Sequence, residues 1–393
     1  MNSKLLWICL LYGGLAGLVS ALTLMAMLGL QHHIWALGSG PLFIFATVMV
    51  GGILLALLQH RHSMGSLNQA IAEAADPALP RARKTGVLAL SAIIAVAFGA
   101  SIGPEAGLVA VVAELSILVS AKISRTHQDA RALGEAGTAA ALASVYGSPP
   151  AAASYADDSL TPSKVPAFLA GVSGFLAFMA TLNLLGAERH ILELPLAPRG
   201  DVSTWWQALL PAVLASALAL FFGWLHHRVD HIAERFTRPW VRVLLGSALL
   251  AGLLAAVPLL RFSGHAELPE LVTLLEESAW WALAGLALLK VVATVLSLLA
   301  GWPGGEFFPL AFAGAAAGLL ALALLPATDA GTALAAGMVA ATTVAVKKPL
   351  AIVLIMVFML PGTALGPLLV ASAVGTLAVK LVEARTESAE QAG

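Results

Sequence analysis

The sequence is poor in charge and in cysteine, and each shortage excludes a class of protein. Only 11% of its 393 residues are charged, whereas soluble proteins carry about 25%. The net charge of −1 gives no basic surface of the kind that binds nucleic acid. The single cysteine, Cys9, rules out an intrachain disulfide. A soluble globular enzyme, a nucleic-acid-binding protein and a disulfide-stabilised secreted domain are therefore all disfavoured.

Motifs of membrane-embedded enzymes are also missing from the sequence. It contains no His-Glu-x-x-His helix and no Gly-x-Ser-x-Gly elbow. The one histidine cluster, His226, His227 and His231, lies in an arginine-rich stretch, where a solvated surface is favoured over a metal site. We therefore predict that the protein is not an enzyme and has no catalytic residue, no metal and no cofactor.

Long apolar runs occupy most of the chain. Hydrophobic residues make up 59% of the sequence and the mean hydropathy is +0.90. About 20 consecutive apolar residues are enough to cross a bilayer as a helix. Such runs lie at 5–30, 42–58, 87–100, 166–185, 208–225, 243–260, 279–300 and almost continuously over 307–381. The pattern predicts an all-α polytopic membrane protein embedded in the lipid bilayer, with roughly ten to twelve membrane segments.

One apolar run contains a break that indicates anion binding. The stretch 289–309 begins as an apolar helix with a single lysine, Lys290, then runs into three glycines, and a second apolar helix follows. Backbone N–H groups exposed at membrane depth are tolerated only beside a cavity. The N-terminus of the second helix directs a positive dipole end at that cavity. The candidate anion site therefore comprises Gly305, Glu306, Phe307 and Pro309.

The break has a counterpart about 200 residues earlier in the chain. Glycine and proline interrupt an apolar run at 99–107 as they do at 301–309, and Ala136–Ala141 resembles Ala336–Ala341. Breaks at corresponding positions of two halves indicate a transporter with a binding site near the midplane of the membrane. We predict two membrane half-repeats of inverted topology, residues 1–195 and 196–393. Three arginine-rich loops are assigned to the cytoplasm by the positive-inside rule.

Four motifs resemble those of the CLC family of chloride channels and anion–proton exchangers, and they occur in the same order along the chain as in that family. They are Ser101-Ile-Gly-Pro104, Tyr146-Gly-Ser-Pro149, Gly305-Glu-Phe-Phe-Pro309 and Val346-Lys-Lys-Pro-Leu350. The chain resembles the short, divergent bacterial branch of ion-transport proteins within this family. The resemblance covers about residues 85–380. It implies a CLC-type inverted repeat with broken and re-entrant helices, and a homodimer that holds an inorganic anion, chloride first, at converging helix N-termini. It also implies the bacterial cytoplasmic (inner) membrane, with both termini in the cytoplasm.

Departures from the family pattern bear on mechanism. The gating glutamate of the family aligns with Ile102, which cannot ionise. The three tyrosines do not match the central pore tyrosine of the family, and its anion-contacting serine has only a weak counterpart in Ser66. These departures favour channel-like or weakly coupled anion transport. The alternatives are a proton-coupled exchanger that uses Glu105 or Glu306, or a transporter of another ion.

The candidate residues fall into three groups. Residues of the anion-binding site and pathway are Ser66, Ile102, Gly103, Pro104, Glu105, Gly305, Glu306, Phe307 and Pro309. Glu105 and Glu306 are the possible gate or proton carrier; Glu306 has the alternative role of capping its own helix. Lys290 and Lys347 are expected to contribute to the electrostatic field of the pore. Asp157 and Asp158 fall near the proton-relay position of the family, although an ordinary acidic loop is favoured there.

Overall fold

The computed structural model describes residues 3–59, 84–124, 126–187, 202–236 and 238–392. These residues form α-helices and short 3₁₀ turns without a β-strand, which confirms the predicted all-α membrane fold. Nine of the described helices are long and apolar enough to cross a membrane, and three shorter apolar helices accompany them. Ser66 and the sequence between 188 and 201 lie outside the described residues.

The chain divides into two compact units. The first comprises Met1–Ile191, Ala233–Phe262 and Leu296–Gly305; the second comprises Leu192–Ile232, Ser263–Val295 and Glu306–Gly393. The predicted half-repeats with a boundary at residue 195 remain a prediction about evolutionary and topological symmetry.

Close helix packing at small residues builds the first unit. Its helices are α1 Ser3–Trp35, α2 Pro41–Leu58, α3 Lys84–Ala97, α4 Glu105–Ile123, α5 His127–Tyr146, α6 Pro149–Ser154, α7 Val165–Leu184 and α9 Pro239–Ala256. Helix α1 packs along α7, where Gly13 meets Ala170 and Gly17 meets Gly174 so closely that a Cβ atom would collide with the opposite backbone. Such contacts are how membrane helices associate, because lipid supplies little hydrophobic driving force between them.

The second unit uses the same packing. Its helices are α8 Leu209–Ala233, α10 Leu268–Glu276, α11 Trp280–Leu299, α12 Phe307–Leu319, α13 Ala321–Leu324, α14 Ala330–Val346, α15 Pro349–Met359 and α16 Leu365–Ala392. The last residues of α11, from Leu296 onward, belong to the first unit. Helix α12 is buried along its whole length, and its Gly314 and Gly318 pack against Gly337 of α14.

The same local backbone pattern occurs twice along the chain. Gly99 follows α3 with φ +90°, and Gly301 follows α11 with φ +71°. Helices α5 and α14 both end in a left-handed residue, Gly147 and Lys347, and a proline then begins the next helix. The two sequence breaks therefore have the same local conformation, which the glycines make accessible.

Candidate functional site

The two helix breaks meet in the first unit at Gly103 and Gly305. These residues form an isolated antiparallel bridge, in which the N–H of Gly103 donates to the carbonyl oxygen of Gly305 at 2.7 Å and the N–H of Gly305 donates back at 3.1 Å. The bridge satisfies backbone groups that a broken helix would otherwise leave without partners in a membrane interior. The sequence predicted two breaks, and the structure joins them.

Side-chain hydrogen bonds hold the Gly301 side of the break. Gln59, at the end of α2, donates from Nε2 to the carbonyl oxygen of Gly301. Trp302 is buried and donates from Nε1 to Ser247 Oγ of α9 at 2.9 Å. Buried polar groups require such partners, since an unmade hydrogen bond in an apolar environment costs about 1–3 kcal/mol. Hydrogen bonds from Gln59, which follows α2, and to Ser247 of α9 thus stabilise this break.

Ile102 is part of the packing between the two breaks. It is buried, and its side chain lies against the backbone of Gly304, where a Cβ atom would collide with it. The preceding N–H, of Ser101, donates to Ser297 Oγ of α11 at 3.2 Å. Ile102 therefore contributes an apolar contact to the paired breaks.

Glu105 places a carboxylate directly over the glycine bridge. It is the first residue of α4, after Pro104 at the N-cap position, and it is fully buried. A Cβ atom added to Gly103 or to Gly305 would collide with the Glu105 carboxylate. Glycine at both positions leaves room for the acid in this place, and the acid stands in the first turn of α4, where the positive end of the helix dipole lies. Glu105 is therefore the ionisable group at the meeting point of the breaks.

In the second unit, Glu306 and Phe307 begin helix α12. Glu306 occupies the N-cap position, and its side chain makes no capping hydrogen bond within the described part of the chain. Phe307 is buried and packs edge-to-face on Phe308, with ring centroids 5.2 Å apart. Pro309 lies in the first turn, where its missing N–H costs no intrahelical hydrogen bond. The positive end of the α12 dipole thus lies at a turn that carries the Glu306 carboxylate.

The two lysines predicted to act on the pore field have different surroundings within the second unit. Lys290 is fully buried on α11, with Nζ 5.4 Å from the ring centroid of Phe312 and an electrostatic interaction with Glu267. Lys347 is exposed, and its Nζ lies 2.7 Å from Glu383 Oε1 on α16. Lys290 is consequently a buried lysine beside an aromatic ring, whereas Lys347 forms a surface ion pair.

Asp157 and Asp158 lie between α6 and α7, where Asp158 adopts a left-handed conformation with φ 54°. Asp157 Oδ2 lies 2.9 Å from Lys164 Nζ. Burial disfavours the charged form of Asp157, but hydrogen bonds from Lys164 and Ser159 outweigh burial and lower its pKa. Lys164 also lines a small cavity of about 30 Å³, together with Glu135, Thr138 and Tyr155.

Two residues at the site escaped sequence reasoning. Ser297 lies on the apolar helix α11, which also carries Lys290 and Thr294, and Gln59 directly follows the apolar helix α2. Serine back-bonds to its own helix so often that its presence in an apolar run indicates no partner. The polar character of Gln59 at the end of α2 was the only available signal.

Comparison with known proteins agrees with the fold, which is that of an all-α membrane protein with broken, re-entrant helices. The profile of the family described as voltage gated chloride channel matches residues 51–380. The match covers most of the chain, and the chain therefore belongs to the CLC family. The ion-transport proteins YfeO of Escherichia coli strains 55989 / EAEC and SE11 are similar in sequence to this chain. Each is 26% identical to it over 385 residues, and the match covers 90% of this chain and 88% of the relative.

Solved CLC structures have the same fold. A slow cyanobacterial Cl⁻/H⁺ antiporter superposes with a TM-score of 0.80 at 18% identity, covering 97% of this chain and 95% of its own. A CLC-type fluoride/proton antiporter gives 0.76 at 20% identity, with 96% of each chain covered. A eukaryotic CLC transporter gives 0.66 at 18% identity, covering 96% of this chain and 72% of its own.

Proposed function

We propose that the protein transports an inorganic anion across the membrane and that protonation of Glu105 controls this transport. The single observation that carries the proposal is the buried Glu105 carboxylate over the Gly103–Gly305 bridge. A carboxylate at the N-terminus of a re-entrant helix competes with an anion for the same exposed N–H groups. When Glu105 gains a proton, its attraction to the helix end falls and an anion can replace it.

Proton coupling is the form of transport that this geometry favours. Intramembrane acids mark proton or ion pathways by default, and Glu105 supplies an ionisable group although Ile102 cannot. Two of the solved structures with the same fold are proton antiporters, one for chloride and one for fluoride. We propose chloride as the transported ion because the family is described as voltage gated chloride channels. Fluoride is the competing candidate, because one structure of the same fold is a fluoride/proton antiporter.

Channel-like transport is the second candidate, and Ile102 is the observation in its favour. Its apolar side chain packs on Gly304, and the sequence resemblance aligns this residue with the gating acid of the family. In this case Glu105 remains charged and stabilises the start of α4 without exchanging protons. Either mechanism fits a homodimer in the bacterial inner membrane with cytoplasmic termini, which we propose by family membership.

An anion-selectivity series in liposomes, run with and without a pH gradient, tests the proposal. Purified protein is reconstituted, and efflux of chloride, fluoride, nitrate and gluconate is recorded beside external pH. Proton-controlled transport predicts that a chloride gradient drives protons uphill. Chloride flux without proton movement would support the channel-like candidate, and the absence of any anion flux would contradict both.

A further inference from the structure

Helix α8 ends in a pair of histidines with the geometry of a metal chelate. The sequence 226–231 reads His-His-Arg-Val-Asp-His, and His227 and His231 are one helical turn apart on the same face. Their Nε2 atoms lie 3.2 Å from each other, with ring centroids 4.5 Å apart. Both imidazoles are exposed, in the last two turns of the helix.

The nitrogen–nitrogen distance matches two ligands of one metal ion. Metal–imidazole bonds of about 2.0–2.1 Å at a tetrahedral angle place the two nitrogens roughly 3.3 Å apart. We propose that His227 and His231 bind a divalent transition metal of the Cu²⁺, Ni²⁺ or Zn²⁺ class through their Nε2 atoms. Both rings bind in the neutral form, so the proton between the two Nε2 atoms moves to Nδ1 of its own ring and each Nε2 lone pair is given to the metal.

Two side chains beside the histidine pair have contacts of their own. Asp230 Oδ2 lies 3.3 Å from His226 Nε2, so these two residues form a separate pair one position along the helix. The guanidinium of Arg228 stacks over Trp224, 5.5 Å from the ring centroid. Among the described residues, no group of three or more His, Cys, Asp or Glu side chains is placed to hold a metal. We expect water to complete the coordination of a metal ion held by these two imidazoles.

A site of two imidazoles predicts a definite metal preference. Affinity should follow the order in which Cu²⁺ exceeds Ni²⁺ and Zn²⁺, with Mn²⁺ weaker still. Mg²⁺ and Ca²⁺ should not compete, because they prefer oxygen ligands. The sequence favoured a solvated surface over a metal site for these histidines. The short distance between their Nε2 atoms is the observation on which we propose a metal site instead.

Calorimetry and electron paramagnetic resonance with Cu²⁺ test the proposal on the full-length, untagged protein in detergent. The expected result is one site with nitrogen hyperfine coupling, and an affinity at least about tenfold weaker in His227→Ala and in His231→Ala. His226→Ala is the matched control, because it removes an adjacent histidine but keeps the chelate. Thermal unfolding without metal verifies that each variant is folded.

The proposal is overturned if both single variants bind Cu²⁺ like the unaltered protein, or if His226→Ala weakens binding as much as His227→Ala does. Excess Mg²⁺ that displaces Cu²⁺ would also contradict it. These readouts do not depend on transport, so the failure of this proposal and the failure of anion transport can be told apart.

Discussion

The backbones of Gly103 and Gly305 pair with each other through two hydrogen bonds, of 2.7 and 3.1 Å. The two residues come from helix breaks about 200 positions apart in the sequence. Their pairing satisfies backbone groups at both breaks, and the absence of side chains leaves room for the Glu105 carboxylate above them. A backbone contact and an ionisable group thus occupy the same few ångströms.

The lack of a side chain at Gly305 should be indispensable. We predict that Gly305→Ala abolishes anion flux, because the added Cβ collides with the Glu105 carboxylate and displaces it or breaks the bridge. The control is Gly285→Ala on α11, where no atom lies within 4 Å of an added Cβ. Liposome efflux measures both variants. Normal flux in Gly305→Ala would show that Glu105 does not need its present position.

The hydroxyl of Ser297 should stabilise the Ser101 side of the break. Ser297→Ala removes the acceptor of the Ser101 N–H, and we predict a loss of about 1 kcal/mol in the free energy of unfolding. Ser91→Ala is the matched control, since Ser91 Oγ is buried with no hydrogen-bond partner in the described part of the chain. Denaturant unfolding in detergent compares the two variants. Equal stability of both would remove Ser297 from the account.

Removal of Lys290 alone should lower the free energy of unfolding more than its removal together with Glu267. Lys290→Met leaves the charge of Glu267 without its compensating cation, and we predict destabilisation by up to about 3 kcal/mol. The double variant Lys290→Met/Glu267→Gln should recover part of that loss, because both charges are gone. A double-mutant cycle of unfolding free energies measures the coupling. Strictly additive losses would contradict an interacting pair.

The ion pair of Asp157 and Lys164 should make a small contribution that depends on pH. The pKa of Asp157 is lowered in the folded protein, so this stabilisation is present above the pKa of the unfolded chain and is lost as pH falls through the folded value. Lys164→Met should therefore lower the unfolding temperature at pH 7 and have little effect at pH 3. Lys122→Met, at the exposed end of α4, is the control. A loss that is equal at both pH values would contradict the pairing.

The sequence contained enough to predict the class of the fold and the positions of both breaks. The length of an apolar run predicts a membrane helix, and glycine with proline predicts where that helix breaks. Both signals are local, and the glycines and proline of each break lie within nine residues. The pairing of Gly103 with Gly305 is a long-range contact with no local signal. The position of the Glu105 carboxylate depends on the space left by those two glycines, which only the folded backbone defines. For the same reason the sequence favoured Ile102 as the decisive residue, whereas the structure directs attention to Glu105.

The most direct test of the central claim is the coupled flux of chloride and protons in liposomes for Glu105→Gln, with Glu114→Gln as the control. Both residues lie on α4 and both substitutions replace a carboxylate by an amide, but Glu114 is away from the breaks. We predict that Glu105→Gln abolishes chloride-driven proton movement and makes chloride flux independent of pH, while Glu114→Gln behaves like the unaltered protein. Proton movement and a pH dependence that persist in Glu105→Gln would contradict the account.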